Sequence, residues 1–186
     1  ARGLRVGAIK LIETGVLDGA PDAESLLHVL KELNPEFRDV GVEAIVPISY
    51  ALAASPFVAS SNTPLDLEKL DAAVENLEKL CDVLIIEGAG GLYVPIDEKH
   101  MMIDLISHFK ASALLVTHCA LGCVNDTLLS EKALRDHGLK YATAFNCKEN
   151  DKGFEEISEP YFSKIGKQVL KTNRDVDTIC DVLYNL

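Results

Sequence analysis

An α/β fold, with a mostly parallel sheet covered by helices on both faces, is what the sequence predicts, and three features predict it. Short runs apolar on both faces alternate with amphipathic helical stretches. Hydrophobic residues make up 48% of the chain and charged residues 25%, enough for a full core and outside the disordered range. At 186 residues the length suits a single domain, and residues 1–186 are read as one.

Each element has its own signal. Residues 4–9 form a short apolar run after Gly3 and read as a strand. Residues 22–33 place Leu26, Leu27, Val29, Leu30 and Leu33 on one helical face. Residues 42–48 read as a strand, with Pro47 marking its end or an edge. Thr63-Pro64-Leu65-Asp66 has the form of a helix start, and Leu67, Leu70, Val74, Leu77 and Leu80 then recur near a period of 3.6. A buried strand is expected at 83–86, a short helix at 102–109 and a second buried strand at 113–116. Residues 125–137 read as a helix with Gly138 as its stop, 141–145 as a strand and 176–183 as a terminal helix. Ala1-Arg2-Gly3 looks like the last turn of a helix and its C′ glycine. The sequence is therefore expected to begin about one strand–loop–helix unit into its fold.

Charge and cysteine content narrow the partners. Eighteen Lys+Arg against 29 Asp+Glu leave a net charge of −11, with a pI of about 4.8. Such a field repels phosphate backbones, which argues against nucleic acid and anionic membrane surfaces as main partners. No apolar run approaches the roughly 20 residues of a membrane helix, and no leader pattern is visible. The five cysteines, Cys81, Cys119, Cys123, Cys147 and Cys180, are odd in number and form no CxxC pair. That usage suits a reduced, cytoplasmic protein with buried thiols. His118, Cys119 and Cys123 lie close together, either as a soft-metal site or as core thiols beside a polar histidine. The second reading is preferred, because a structural zinc site wants four ligands and no second pair exists.

Open parallel sheets bind ligands outside the carboxyl ends of their strands, and several polar residues fall there. Lys10 ends the first strand, with Thr14 and Gly15 soon after. It is either a partner for phosphate or a developing oxyanion, or a solvated lysine beyond an edge strand. Glu87 ends a buried run and is followed by Gly88-Ala89-Gly90-Gly91. A carboxylate there needs a cation or strong donors, and small residues let the backbone approach a ligand. A tight turn needing positive φ is the alternative. In Leu121-Gly122-Cys123-Val124-Asn125, a helix start attracts anions, or Asn125 is simply an N-cap. Asp22 is either a dipole-favoured acid at a helix start or a hard-cation ligand. Asn146 either meets a base edge or caps a strand end. No GxSxG elbow is present.

Together these segments resemble the dethiobiotin synthetase family, the ATP-dependent carboxylases of biotin biosynthesis. The resemblance runs from Lys10 to about Tyr161. It rests on Lys10…Thr14-Gly15, Pro21-Asp22-Ala23, Ser55-Pro56-Phe57-Val58-Ala59, Glu87-Gly-Ala-Gly-Gly-Leu-Tyr-Val-Pro-Ile96 and Leu121-Gly-Cys-Val-Asn125. It implies a three-layer P-loop NTPase-like fold and a homodimer with active sites at the interface. The implied substrates are 7,8-diaminopelargonate, CO2 (or bicarbonate) and ATP, with Mg2+ as cofactor. By resemblance Lys10 is the catalytic lysine, Thr14 contacts the substrate, and Asp22 and Glu87 hold magnesium and belong to the nucleotide site. Gly88, Ala89 and Gly90 line the phosphates, and Asn146, Pro160 and Tyr161 meet the adenine. Gly122 and Asn125 receive the substrate's carboxylate tail from the other subunit.

Two departures stand out. Leu11 follows the lysine where the family usually has proline, and the sequence holds no GxxxxGK[ST] phosphate loop, whose place falls before Ala1. A catalytically silent relative acting as a dimeric sensor or scaffold is the competing expectation. A related cofactor-forming amidotransferase synthase is a third, but it needs a glutaminase domain that this length does not contain.

Overall fold

Three pairs of parallel strands form the sheet structure of the computed structural model, which describes residues 3–148, 151 and 153–186. The helical end expected at Ala1-Arg2 lies outside the described residues. The chain divides into two compact units, Ala1–Met102 and Ile103–Leu186.

In the first unit β1 (Val6–Lys10) pairs with β4 (Val83–Glu87), Val6 opposite Val83 and Lys10 opposite Glu87. The shorter β2 (Ile12–Thr14) pairs with β3 (Ile48–Tyr50). Around them lie α1 (Pro21–Leu33), α2 (Val42–Ile45), α3 (Pro56–Ala59) and α4 (Leu67–Glu78). Ile9, Leu11, Ile12, Phe37, Ile45 and Leu70 are buried together with almost no exposure. α4 starts as expected, with the Asp66 side chain accepting the Lys69 N–H at 3.0 Å. α1 stops at Asn34, which adopts extended backbone before Pro35. The buried Asn34 amide then donates to the carbonyls of Val6 and Leu80, both at 3.1 Å, tying the end of α1 to β1 and the turn after α4. Gly7 lets these layers meet, since a Cβ there would lie 2.9 Å from both Cys81 Sγ and Phe37 Cζ.

α5 (Met102–His108) follows, and the second unit pairs β5 (Ala113–His118) with β6 (Tyr141–Asn146). α6 (Cys123–Asp136) connects them and ends in a Schellman motif. Gly138, at φ +67°, donates its N–H to Arg135 O, and Leu139 donates to Leu134 O. A π-helical turn (Phe154–Ser158), α7 (Glu159–Lys164) and α8 (Val176–Tyr184) complete the unit. Its core holds Phe145, Phe154 and Phe162, with ring centroids 4.9 to 6.4 Å apart. Buried polar groups are paired across it: Thr117 with Thr127 at 2.8 Å, and Glu131 with Thr143 and Lys167. No helix among the described residues is long and apolar enough to cross a membrane.

Four expectations change. Residues 42–48 are not a strand: 42–45 form the helical turn α2, and the strand begins only after Pro47. A short apolar run cannot choose between helix and strand by periodicity alone. On α1 the buried residues are Ala23, Leu27 and Leu30, whereas Val29 and Leu33 face outward. β4 and β5 are not buried on both faces, with Ile85 56% and Val116 52% exposed. Finally, Cys119 and Cys147 form a disulfide rather than staying free. They follow the register pair His118–Asn146, so parallel pairing brings their Cα atoms to 4.9 Å, inside bonding reach. Cys81, Cys123 and Cys180 remain free.

Thiol titration of the denatured, unreduced protein should therefore find three of the five cysteines reactive, and all five after reduction. Closing this 28-residue separation is worth about 3.5 kcal/mol in the chain-entropy picture, so reduction should lower unfolding stability measurably. Five reactive thiols without reductant would contradict the pairing.

Candidate functional site

The first unit builds its site around Lys10. As the last residue of β1 its side chain is only 8% exposed, so its ammonium needs anionic partners. Strand register supplies one, because Glu87 stands opposite it on β4 and its Oε1 lies 2.7 Å from Nζ. The first turn of α1 supplies the other, Asp22 Oδ2 at 2.9 Å. Burial pushes the Lys10 ammonium toward neutrality, but the hydrogen bonds and charges of Glu87 and Asp22 outweigh it and raise its pKa above the ordinary value. With its folded value raised, this lysine adds stability that is complete below about pH 10. That contribution is lost only as pH rises through the folded pKa.

A cavity of about 360 Å³ opens over this cation, lined by Lys10, Ile12, Glu13, Thr14, Asp22, Ala54, Ser55, Pro56, Ala89, Gly90 and Val94. The turn reading of the glycine run is met at Gly90. Gly90 adopts φ +78°, with a virtual Cβ 2.9 Å from Val94 Cγ2, while Gly88 has ordinary φ but a Cβ added there would lie 3.1 Å from Met102 Cγ and Sδ. Lys10, Thr14, Asp22, Ala89 and Gly90 are thus brought to one cavity, with Glu87 on the Lys10 cation. The sequence reading passed over Glu13, whose buried carboxylate accepts N–H bonds from Asp22 and Ala23.

The remaining expected residues lie in the second unit. Gly122, at φ +100°, is itself the cap of α6, so of the two readings of Asn125 the N-cap one does not hold. The left-handed glycine starts the helix two residues earlier, and Asn125 sits in the first turn. There its amide donates to Asp126 Oδ1 at 3.1 Å, while His118 Nε2 lies 2.9 Å from Oδ2. His118 and then Asn125 hold the Asp126 carboxyl below its ordinary range. Asn146 ends β6 and accepts from Thr172 Oγ1 at 3.2 Å. Pro160 is the second residue of α7, and Tyr161 beside it is 45% exposed.

Among the described residues, no group of three or more His, Cys, Asp or Glu side chains is placed to hold a metal ion. The soft-metal alternative disperses: His118 pairs with Asp126, Cys119 is in the disulfide and Cys123 is in the core. Asp22 and Glu87 do converge on a single cation, the Lys10 ammonium. Two hard oxygen donors beside an open cavity fit magnesium, which takes one or two carboxylates and completes its shell with phosphates and water.

A protein-family model described as AAA domain matches residues 2–182, running through both units. The chain is 40% identical over 165 residues to the ATP-dependent dethiobiotin synthetase BioD of Sulfurovum sp. (strain NBC37-1), covering 89% of this chain and 79% of that protein. The protein of the same name from Helicobacter pylori (strain Shi470) is 36% identical, over 87% of this chain and 76% of that one. The chain belongs to the ATP-dependent dethiobiotin synthetase family. A third member, from Wolinella succinogenes, is 33% identical over 96% of this chain and 83% of its own length. Membership makes the parallel α/β architecture P-loop NTPase-like, as expected.

In this family member the loop after the glycine run is held by Asp97, 7% exposed. It accepts N–H bonds from Leu65 (2.9 Å), Lys99 (2.8 Å) and His100 (2.7 Å), and its Oδ1 lies 2.9 Å from His100 Nδ1. Burial opposes its charge, but these bonds prevail and hold its carboxyl far below the usual range. A depressed carboxylate contributes stability that is present above the unfolded pKa and lost as pH falls toward the folded one. Asp97→Asn should cost about 2 kcal/mol at pH 7 by urea unfolding. That gap should begin to narrow as pH falls below the ordinary carboxylate value near 4 and keep shrinking toward the much lower folded value; a gap independent of pH would contradict it.

Proposed function

We propose that this chain carboxylates and cyclises 7,8-diaminopelargonate with CO2 and ATP, giving dethiobiotin, ADP and phosphate. The observation that carries the reading is the buried Lys10 ammonium on the wall of the cavity, held by Glu87 and Asp22. In the reaction one amine adds to CO2 and forms a carbamate. A carbamate oxygen takes the γ-phosphoryl group as ADP leaves. The second amine then attacks the carbonyl carbon, phosphate departs, and the cyclic urea closes with loss of protons.

Lys10 serves these steps electrostatically. Its raised pKa keeps the ammonium charged, suited to the carbamate oxyanion and the transferring phosphoryl group rather than to proton abstraction. Asp22 and Glu87 would hold Mg2+, which when bound supplies positive charge along the phosphates. The Lys10 ammonium, on the wall of the same cavity, offers its positive charge to the carbamate and the phosphoryl group. Thr14, on the same cavity, directs a hydroxyl at the substrate, and Gly88, Ala89 and Gly90 present backbone to the phosphates. Asn146, Pro160 and Tyr161 are assigned to the adenine.

The carboxylate tail of the substrate goes to the start of α6, at Gly122 and Asn125 of the other subunit in a homodimer. A 14-residue helix supports that assignment, because its first-turn amides are donors in a protein of net charge −11. The protein acts in the cytoplasm on this reading. Residues 1–186 serve as one synthetase domain on this reading.

In the full-length enzyme, Lys10→Ala should leave the fold intact and lower kcat/KM about 100-fold or more. Glu87→Gln should raise the magnesium concentration needed for half-maximal rate. Near wild-type turnover in the first variant, or an unchanged magnesium requirement in the second, would count against these roles. Asn125→Ala should weaken diaminopelargonate binding more than ATP binding in calorimetric titrations, with little loss of thermal stability now that Asn125 is not the cap. Equal weakening of both ligands would remove it from the carboxylate site.

A further inference from the structure

Glu13 lines the same cavity, and none of the steps proposed for ligation uses it. It is the middle residue of β2 and only 3% exposed, where a carboxylate is costly unless strong donors meet it. Two donors do. Glu13 Oε1 accepts the Asp22 N–H at 2.9 Å, and Oε2 accepts the Ala23 N–H at 3.2 Å. These are first-turn amides of α1, groups that a helix leaves without an intrahelical partner and that an N-cap side chain ordinarily takes. The residue in the cap position is Ala20, which makes no side-chain cap bond. Glu13 therefore caps α1 from a neighbouring strand, and its charge suits the positive end of the helix dipole.

Asp22 is consequently held at two points. Its backbone N–H is fixed to Glu13 on β2, and its carboxylate reaches Lys10 at the end of β1, 2.9 Å away. We infer that Glu13 is a positioning residue for ligation, acting through Asp22: it fixes the first turn of α1 so that the Asp22 carboxylate meets the same cation as Glu87. The inference rests on the proposed role of Asp22. A cap that served stability alone would cost about the same in folding and leave the kinetics of the folded enzyme unchanged.

The test compares Glu13→Ala, Glu13→Gln, Asp22→Ala and the Glu13→Ala/Asp22→Ala double variant in the full-length enzyme. Rates are measured across a magnesium titration, and amide hydrogen exchange is measured without ligands. Glu13→Ala should lower kcat about tenfold, raise the half-saturating magnesium concentration and speed exchange at the Asp22 and Ala23 amides. Glu13→Gln keeps one acceptor oxygen and should recover a large part of the rate. If Glu13→Ala does not fold, a threefold rise in half-saturating magnesium for Glu13→Gln is the expected signature. In the Asp22→Ala background the Glu13 substitution should add less than twofold. Losses that multiply in the double variant, or a Glu13→Ala enzyme with wild-type kinetics beside an impaired Asp22→Ala, would overturn the role of Glu13 alone. Wild-type kinetics in Asp22→Ala would overturn the assignment of Asp22 together with it.

Discussion

A lysine ammonium almost closed off from water must be given counter-charges, and the first unit is arranged so that Lys10 receives them. Glu87 arrives through strand register, since β1 and β4 pair residue for residue up to Lys10 opposite Glu87. Asp22 arrives through the first turn of α1. One cation thus ties together the ends of two strands and the start of a helix. Both carboxylates are about half exposed, so solvent screens their attraction and the pairs add little to stability. Their importance lies in keeping charge concentrated beside a cavity where phosphate chemistry can use it.

Neighbouring residues keep that arrangement from relaxing. Glu13 fixes the amides of α1, Asn34 fixes its far end to β1 and the turn after α4, and Asp97 gathers the loop that follows the glycine run. Each of these side chains is buried and fully engaged with backbone groups, which is how irregular chain can be held as rigidly as a strand. In the second unit the disulfide performs a comparable service at the end of β5 and β6, next to Asn146.

Glu87 was legible in the sequence because a carboxylate closing an apolar run before a glycine run needs donors, whereas Lys10 alone read equally as a solvated lysine and was singled out by the family resemblance. Thr14 and the glycines followed from their nearness to those two, and Asp22 from the family resemblance. Glu13 was not legible, because its task depends on where α1 folds back over β2, a distance of nine residues along the chain and only one hydrogen bond in space. The disulfide was hidden in the same way, by a 28-residue separation that only strand register closes. Asn125 was misplaced by two residues because a left-handed glycine can start a helix without a capping side chain. At residues 42–48 a short apolar run was compatible with either period, and packing chose the helix.

The charge state of Lys10 decides whether the site works by electrostatic stabilisation or by proton abstraction, and it can be read directly. Nitrogen-detected NMR of selectively labelled lysine in the ligand-free enzyme should give Lys10 a pKa above the ordinary 10.5, falling when Glu87→Gln and Asp22→Asn are combined. A wild-type value below 10.5, unmoved by those substitutions, would contradict a lysine held charged between two carboxylates.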